Sequence, residues 1–254
     1  MNVIIGHTGL VGNSLCSQLD FRYKFNRNNL NKFDEIPDDT NLFLSCLPAE
    51  KWKINQNVLS DIENIMLILN AIKNKKYSKV YLISTIDVYL DTELYADESV
   101  IPKIIKLGYG SNRYMFELLI SQYLKTDYLN IIRLPALFCN GIKKNVLYDL
   151  LNDNSVDKIN SNSSYQWYNL NNLINDIENY CNQKQITYNF FTEPLETEKL
   201  IDLFPAHKHS VTCSDKRVVY DYRTKNTLTG YIKTKEEVFG EIKQFVENYE
   251  TRNK

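Results

Sequence analysis

Asn2-Val3-Ile4-Ile5-Gly6-His7-Thr8-Gly9-Leu10-Val11-Gly12 opens the chain as a short apolar run that breaks into glycines spaced three apart. Asn2 to Ile5 fits a strand buried on both faces. A helix should follow, with Leu10, Val11, Leu15 and Leu19 on its inner side. In such a strand–turn–helix unit each glycine has a physical task. Gly6 permits a tight turn, Gly9 lets the backbone approach a pyrophosphate, and Gly12 lets the helix lie close to the sheet. The free N–H groups of the helix start then face the phosphates. This reading makes Gly6, Thr8, Gly9, Leu10, Val11 and Gly12 a dinucleotide cradle; the alternative is a turn whose glycines serve packing alone.

Working outward, apolar runs alternate with helical patterns. Strands fit Tyr23 to Asn26, Leu42 to Leu47, Lys79 to Ser84 and Tyr128 to Arg133. Helices fit Val58 to Lys73, with Val58, Ile62, Ile65, Met66 and Leu69 inward, and Tyr109 to Tyr123. That alternation predicts an α/β fold, a Rossmann-type doubly wound parallel sheet. The second half is looser. Short helices fit Asn145 to Leu151, Leu170 to Cys181 and Glu196 to Phe204. A strand fits Thr187 to Thr192, and a terminal helix Lys235 to Tyr249. We expect a nucleotide-binding domain over residues 1–138 and a small C-terminal substrate-binding lobe over 139–254.

The second strand should end on the reader of the adenosine ribose. An acid there suits the free hydroxyls of NAD, but this chain has Asn26 and Arg27. Arg27 can pair with a 2′-phosphate, which favours NADP over NAD; the other reading is a solvated loop cation. The span from Asn26 to Leu42 leaves little room for the usual third strand and its helix, so the adenine pocket is expected to be more open than usual, with Leu47 and Pro48 part of its floor.

The charges nearly cancel, 30 Lys and Arg against 31 Asp and Glu, which gives no footing for a nucleic-acid surface. No run of about 18 apolar residues predicts a membrane span. Five scattered cysteines read as reduced thiols, which suits a cytoplasmic location. His207, His209 and Cys213 are too few for a closed metal site, so none is expected.

Several separated motifs resemble the extended short-chain dehydrogenase/reductase family, the NAD(P)-dependent epimerases, dehydratases and reductases of nucleotide sugars. The likeness runs from residue 1 to about residue 145, with weaker echoes to about 205. The glycine loop resembles the family's Gly-x-x-Gly-x-x-Gly. Ser84-Thr85-Ile86-Asp87-Val88-Tyr89 resembles its Ser-Ser/Thr-x-x-Val-Tyr. Tyr109 through Arg113 resembles Tyr-x-x-x-Lys, and Arg133-Leu134-Pro135-Ala136-Leu137-Phe138 the Arg-x-x-x-Val-Tyr segment. Asp97-Glu98 stands where members carry an acidic pair.

The resemblance implies hydride transfer between nicotinamide and a carbinol carbon. Tyr109 would be the acid/base and Thr85 a hydrogen-bond donor to the reacting oxygen. Arg113, in the lysine's place, would bond ribose hydroxyls. Ser84 and Pro135 would lie against the cofactor. Asp87 would exchange a proton on a sugar carbon, or be a polar neighbour without that task; the absence of an acid at Ile86 argues against a dehydratase. Lys143, Lys144 and Asn145 would meet the substrate's diphosphate, with solvated lysines as the alternative. Trp167 and Tyr168 would stack on base or sugar, with core aromatics as the alternative. Members pair through two helices, so Val58–Lys73 and Tyr109–Tyr123 imply a homodimer. Two readings compete with the nucleotide-sugar enzyme: a non-catalytic dinucleotide-binding sensor or assembly protein, suggested by the lost lysine, and a reductase of a non-sugar carbonyl.

Overall fold

The computed structural model describes residues 1–181 and 183–253. In chain order the elements are β1 (Asn2–Ile5), α1 (Leu10–Gln18), β2 (Tyr23–Phe25), β3 (Thr40–Leu44), α2 (Lys51–Gln56), α3 (Val58–Ile72), β4 (Tyr77–Thr85), α4 (Tyr109–Tyr123), β5 (Leu129–Leu134), β6 (Ala136–Phe138), α5 (Val146–Leu151), β7 (Ser164–Tyr165), β8 (Trp167–Asn169), α6 (Leu173–Tyr180), β9 (Ile186–Asn189), β10 (Leu195–Glu196), α7 (Thr197–Ile201) and α8 (Lys235–Asn253). Compactness divides them into two units. One holds Met1–Leu90, Val100–Arg133 and Asn171–Asn189; the other holds Asp91–Ser99, Leu134–Leu170 and the chain from Phe190.

The first unit is built on a six-stranded parallel sheet in the order β2-β1-β3-β4-β5-β9. Strand residues alternate between two apolar layers. Val3, Ile5, Leu42, Leu44, Val80 and Leu82 meet Ile65, Ile68, Leu69 and Ile72 of α3 and Phe116 and Ile120 of α4. Their neighbours Ile4, Phe43, Tyr81 and Ile132 are equally buried on the other side, where Phe21 meets Phe43 edge-on. Two buried faces explain strands that read as continuous apolar runs. The chain turns from β2 through a 3₁₀ turn, Leu30–Glu35, straight into β3. The missing third strand is therefore real, and β3 lies directly beside β1. The chain leaves β1 for β2 on one side and β3 lies on the other, which puts the sheet's switch point at the end of β1, where open α/β sheets bind ligands.

Some expectations need correction. Met66 is 42% exposed rather than inward; Ile68 and Ile72 take the buried stripe of α3. In α1 only Leu15 of the four expected inner residues is buried, together with Gly12 and Ser14. The short α2 was not foreseen at all.

In the second unit β6 pairs with β8 and β10 with β7. Its core includes Phe138, Trp167, Tyr168, Phe190, Phe191 and Tyr222 together with Val238, Ile242 and Val246 of α8. Gln166 ties three strands of backbone here, donating to Thr192 O at 2.6 Å and Tyr222 O at 2.9 Å and accepting from Tyr222 N–H at 2.9 Å. No helix among the described residues is long and apolar enough to cross a membrane.

Candidate active site

The glycine loop leaves β1 with Gly6 at φ +97°, a conformation that L side chains rarely adopt. A Cβ on Gly6 would stand 2.2 Å from Ser45 O, and one on Gly12 would stand 2.1 Å from Gly6 O. Both glycines are therefore required by the chain's own backbone. Gly9 is different: a Cβ there meets only Gly6 O, at an ordinary 3.5 Å. Beyond its place as the α1 N-cap, nothing among the described residues crowds a side chain at that position, whereas the backbone of a pyrophosphate cradle would. Gly9 caps α1 with no side-chain hydrogen bond, so the first-turn N–H groups keep their donors for a ligand. His7 Nδ1 lies 2.9 Å from Phe25 O and pins the loop to the end of β2.

This loop walls a cleft of about 250 Å³, lined also by Thr8, Asn26, Arg27, Ser45, Cys46, Leu47, Pro48, Asn64 and Leu67. Of the cofactor residues read from sequence, Gly6, Thr8, Gly9, Asn26, Arg27, Leu47 and Pro48 share it, and Leu10, Val11 and Gly12 continue into α1. Sequence reasoning missed Asn64. Its Oδ1 accepts from Arg27 Nη2 at 2.5 Å, holding an exposed guanidinium at the cleft. Burial pushes the Cys46 thiol up to about 12, so it stands as a neutral lining group.

The four proposed catalytic residues also converge, and all lie in the first unit. β4 ends at Thr85, whose Oγ1 accepts the Asp87 N–H at 3.2 Å in a short 3₁₀ turn. The first turn of α4 presses on that turn: a Cβ on Gly110 would stand 1.8 Å from Asp87 O. This contact sets Tyr109 beside Thr85 and Asp87. Burial pushes the Tyr109 phenol above its usual 10; Arg113 pulls it back, the Asp87 charge raises it, and hydrogen bonds with Thr85 and Arg113 lower it.

Arg113 sits under the Tyr109 ring, its guanidinium carbon 4.7 Å from the centroid. Its fork is committed elsewhere. Nη1 donates to Asp61 Oδ2 at 2.8 Å, and Nη2 to Asp61 Oδ1 at 3.1 Å and Pro48 O at 2.6 Å. Asn112 Nδ2 adds a 2.8 Å bond to the same carboxylate. Arg113 is thus buried beneath Tyr109 and paired with Asp61. Asp61 was missed because it sits 52 residues away, on another helix, and no local pattern links the two.

Ser84, expected against the cofactor, turns its hydroxyl to Glu117 Oε1 at 2.5 Å. Glu117 in turn holds Arg133, Oε2 to Nη2 at 2.6 Å, and Arg133 Nη1 donates to Tyr89 Oη at 2.7 Å. This buried chain braces the carboxyl ends of β4 and β5 behind the site.

In the second unit Lys143 and Lys144 are exposed. Asn145 works as a helix cap, accepting from Tyr148 N–H at 2.9 Å and donating to Leu137 O at 2.8 Å. Trp167 and Tyr168 are each 1% exposed, and Tyr168 stacks on Phe190 with centroids 6.0 Å apart. The alternative of core aromatics describes them; a stacking platform would need an open ring face. Among the described residues no group of three or more potential metal ligands gathers.

No family model matches the sequence. No curated protein matches it either. Solved structures do, over the whole chain. MoeE5 in complex with UDP-glucuronic acid and NAD is similar with a TM-score of 0.78 at 10% identity, covering 100% of this chain and 99% of that one. A dTDP-4-dehydrorhamnose reductase from Clostridium acetobutylicum gives 0.73 at 15% identity, covering 98% and 100%. The UDP-glucose 4-epimerase of Thermotoga maritima, with UDP-glucose, gives 0.68 at 13% identity, covering 100% of both. At such identities the likeness is one of fold: this chain has, from end to end, the architecture of these nucleotide-sugar epimerases and reductases.

Proposed function

We propose that this protein is an NADP-dependent oxidoreductase or epimerase acting on a nucleotide-activated sugar, with NAD as the second candidate cofactor. The observation that carries the reading is the meeting of Tyr109 with Thr85 at the carboxyl end of β4, in the same unit as the glycine-lined cleft. The dinucleotide would fit the cleft at Gly9, where no close contact within the chain calls for a glycine and a ligand's approach would. Arg27, steadied by Asn64, would take the 2′-phosphate. A bound nicotinamide supplies the hydride donor or acceptor.

The chain's own residues handle the proton. A phenol held above its ordinary range stays protonated at neutral pH, which suits donation to a carbonyl oxygen as an alcohol forms. Thr85 Oγ1 orients that oxygen. Asp87 would serve a sugar carbon beside the carbonyl. Nucleotide sugars are the favoured substrates because neighbours of this fold bind UDP-glucose and UDP-glucuronic acid. Pro135 and Lys143 keep the cofactor and diphosphate roles that the resemblance gives them.

The test is incubation with NADPH, NADP, NADH or NAD and a panel of UDP- and dTDP-sugars and their 4-keto forms. Nicotinamide absorbance reads net reduction, and chromatography of the sugar reads epimerisation. Turnover abolished by Tyr109→Phe supports the reading. Tight nucleotide binding with no turnover on any sugar supports instead the non-catalytic sensor, which the commitment of Arg113 to Asp61 favours. No binding of any nucleotide removes both.

A further inference from the structure

The six residues of α2 belong to the Tyr109 site. Gly108, which caps α4, has no side chain to meet the free N–H groups of that helix. Asn55 of α2 takes the part: its Oδ1 accepts the Tyr109 N–H at 2.9 Å. One turn earlier, Lys51 extends its ammonium to Asp87 Oδ1 at 2.8 Å. Asp87 has little freedom of its own, since its N–H is bonded to Thr85 Oγ1 and its carbonyl is packed under Gly110. Its other carboxylate oxygen is 3.5 Å from Thr85 Oγ1. Lys51 reaches this fixed carboxylate from the solvent side, with 53% of its side chain exposed against 19% for Asp87.

We propose that Lys51 is a positioning residue of this site, acting through Asp87 on the charge felt by the Tyr109 phenol; its catalytic use rests on the function proposed above. The charges around the phenol come from every neighbouring element. Arg113 stands beneath it on α4 with Asp61 of α3 behind, Asp87 is beside it, and Lys51 of α2 covers Asp87. Arg113, although paired with Asp61, still favours ionisation of the phenol. Asp87 opposes ionisation of the phenol, and Lys51 offsets Asp87. Removing Lys51 therefore exposes the full Asp87 charge and makes Tyr109 harder to ionise. Removing Asp87 makes it easier, and it also releases the Lys51 ammonium, which that carboxylate holds at the site.

The experiment is a pH titration of isotope-labelled tyrosine Cζ by NMR, with the Tyr109 signal assigned by Tyr109→Phe. It is run on the nucleotide-free protein and again with saturating oxidised NADP. Lys51→Met should raise the Tyr109 midpoint by roughly half to one pH unit. Lys51→Arg should restore it, and Asp87→Asn should lower it. Adding Lys51→Met to Asp87→Asn should change it by less than half of that rise. The thermal midpoint of each lysine variant should stay within about 2 °C of the parent, since the lysine end of the pair is half exposed to solvent. Equal midpoints for the parent and Lys51→Met in both states would overturn the inference, as would an equal rise on the Asp87→Asn background. Should the titration behave as expected while the parent and Tyr109→Phe are alike inert towards nucleotide sugars, the electrostatic role stands and the enzyme reading falls.

Discussion

Both terminal nitrogens of Arg113 are bonded to the two carboxylate oxygens of Asp61, at 2.8 and 3.1 Å, where the side chains are only 6% and 2% exposed. A buried pair of this kind is costly to break from one side, because the remaining ion is left without water or partner. Asp61→Asn should destabilise the protein by about 3–5 kcal/mol in denaturant unfolding. The double change Asp61→Leu with Arg113→Met should cost less than Asp61→Asn alone, since it leaves no orphan charge. A double variant as unstable as the sum of its parts would mean that the two residues act independently.

The glycine loop separates structural from ligand-driven demand. At Gly12 a Cβ would strike the Gly6 carbonyl, and backbone cannot step aside as a side chain can. Gly12→Ala should lose roughly 1–3 kcal/mol of stability. At Gly9, with φ −75° and only an ordinary contact, alanine fits the unliganded chain. Gly9→Ala should lose no more than about 1 kcal/mol, the cost of alanine at the α1 N-cap, yet bind NADPH at least about tenfold more weakly by calorimetry. Undiminished binding in Gly9→Ala would leave the loop as a turn that needs its glycines for packing alone.

The sheet and the loop were legible because their signals are local: apolar runs for strands buried on both faces, glycine at set spacing, and 3.6-residue patterning in α3 and α8. What escaped was either short or distant in sequence. In α2 only Ile54 is buried, so Lys-Trp-Lys-Ile-Asn-Gln shows no stripe to read. Its position comes from what it caps, Tyr109, 54 residues on. Asp61 reads locally as an ordinary polar residue of a helix, and only folding makes it the partner of Arg113. Trp167 and Tyr168 were read through a resemblance, whereas pairing of β6 with β8 folds them into the core. The resemblance pointed to side chains that could do chemistry, and tertiary packing, invisible to it, decided which of them are buried in the core.

Arg27 offers the sharpest choice between the two nicotinamide nucleotides. Exposed, and anchored among the described residues by Asn64, it has room to turn a guanidinium edge to a 2′-phosphate. A charge-assisted hydrogen bond is worth about 1.5–3 kcal/mol. Arg27→Ala should therefore weaken NADPH roughly ten- to hundredfold and leave NADH within about a factor of two. Asn64→Ala, which frees the side chain without removing it, should show a smaller loss of the same kind. Equal loss for both nucleotides would place Arg27 on a shared part of the cofactor, and no loss for either would make it a solvated cation.

The outer side of the α3–α4 pair bears on oligomeric state. Leu59, Met66 and Leu67 on α3 are 69%, 42% and 50% exposed, and Leu118 and Tyr123 on α4 are 47% and 48% exposed. Leu59, Met66 and Leu67 recur at helical spacing, so they form a stripe on α3 rather than scattered single residues. Light scattering at micromolar concentration should give the mass of a homodimer. Leu59→Glu combined with Leu118→Glu should give a monomer with unchanged far-ultraviolet circular dichroism, because neither residue belongs to the buried stripe of its helix. A parent protein that already runs as a monomer at that concentration would remove the dimer and leave the exposed leucines to some other contact.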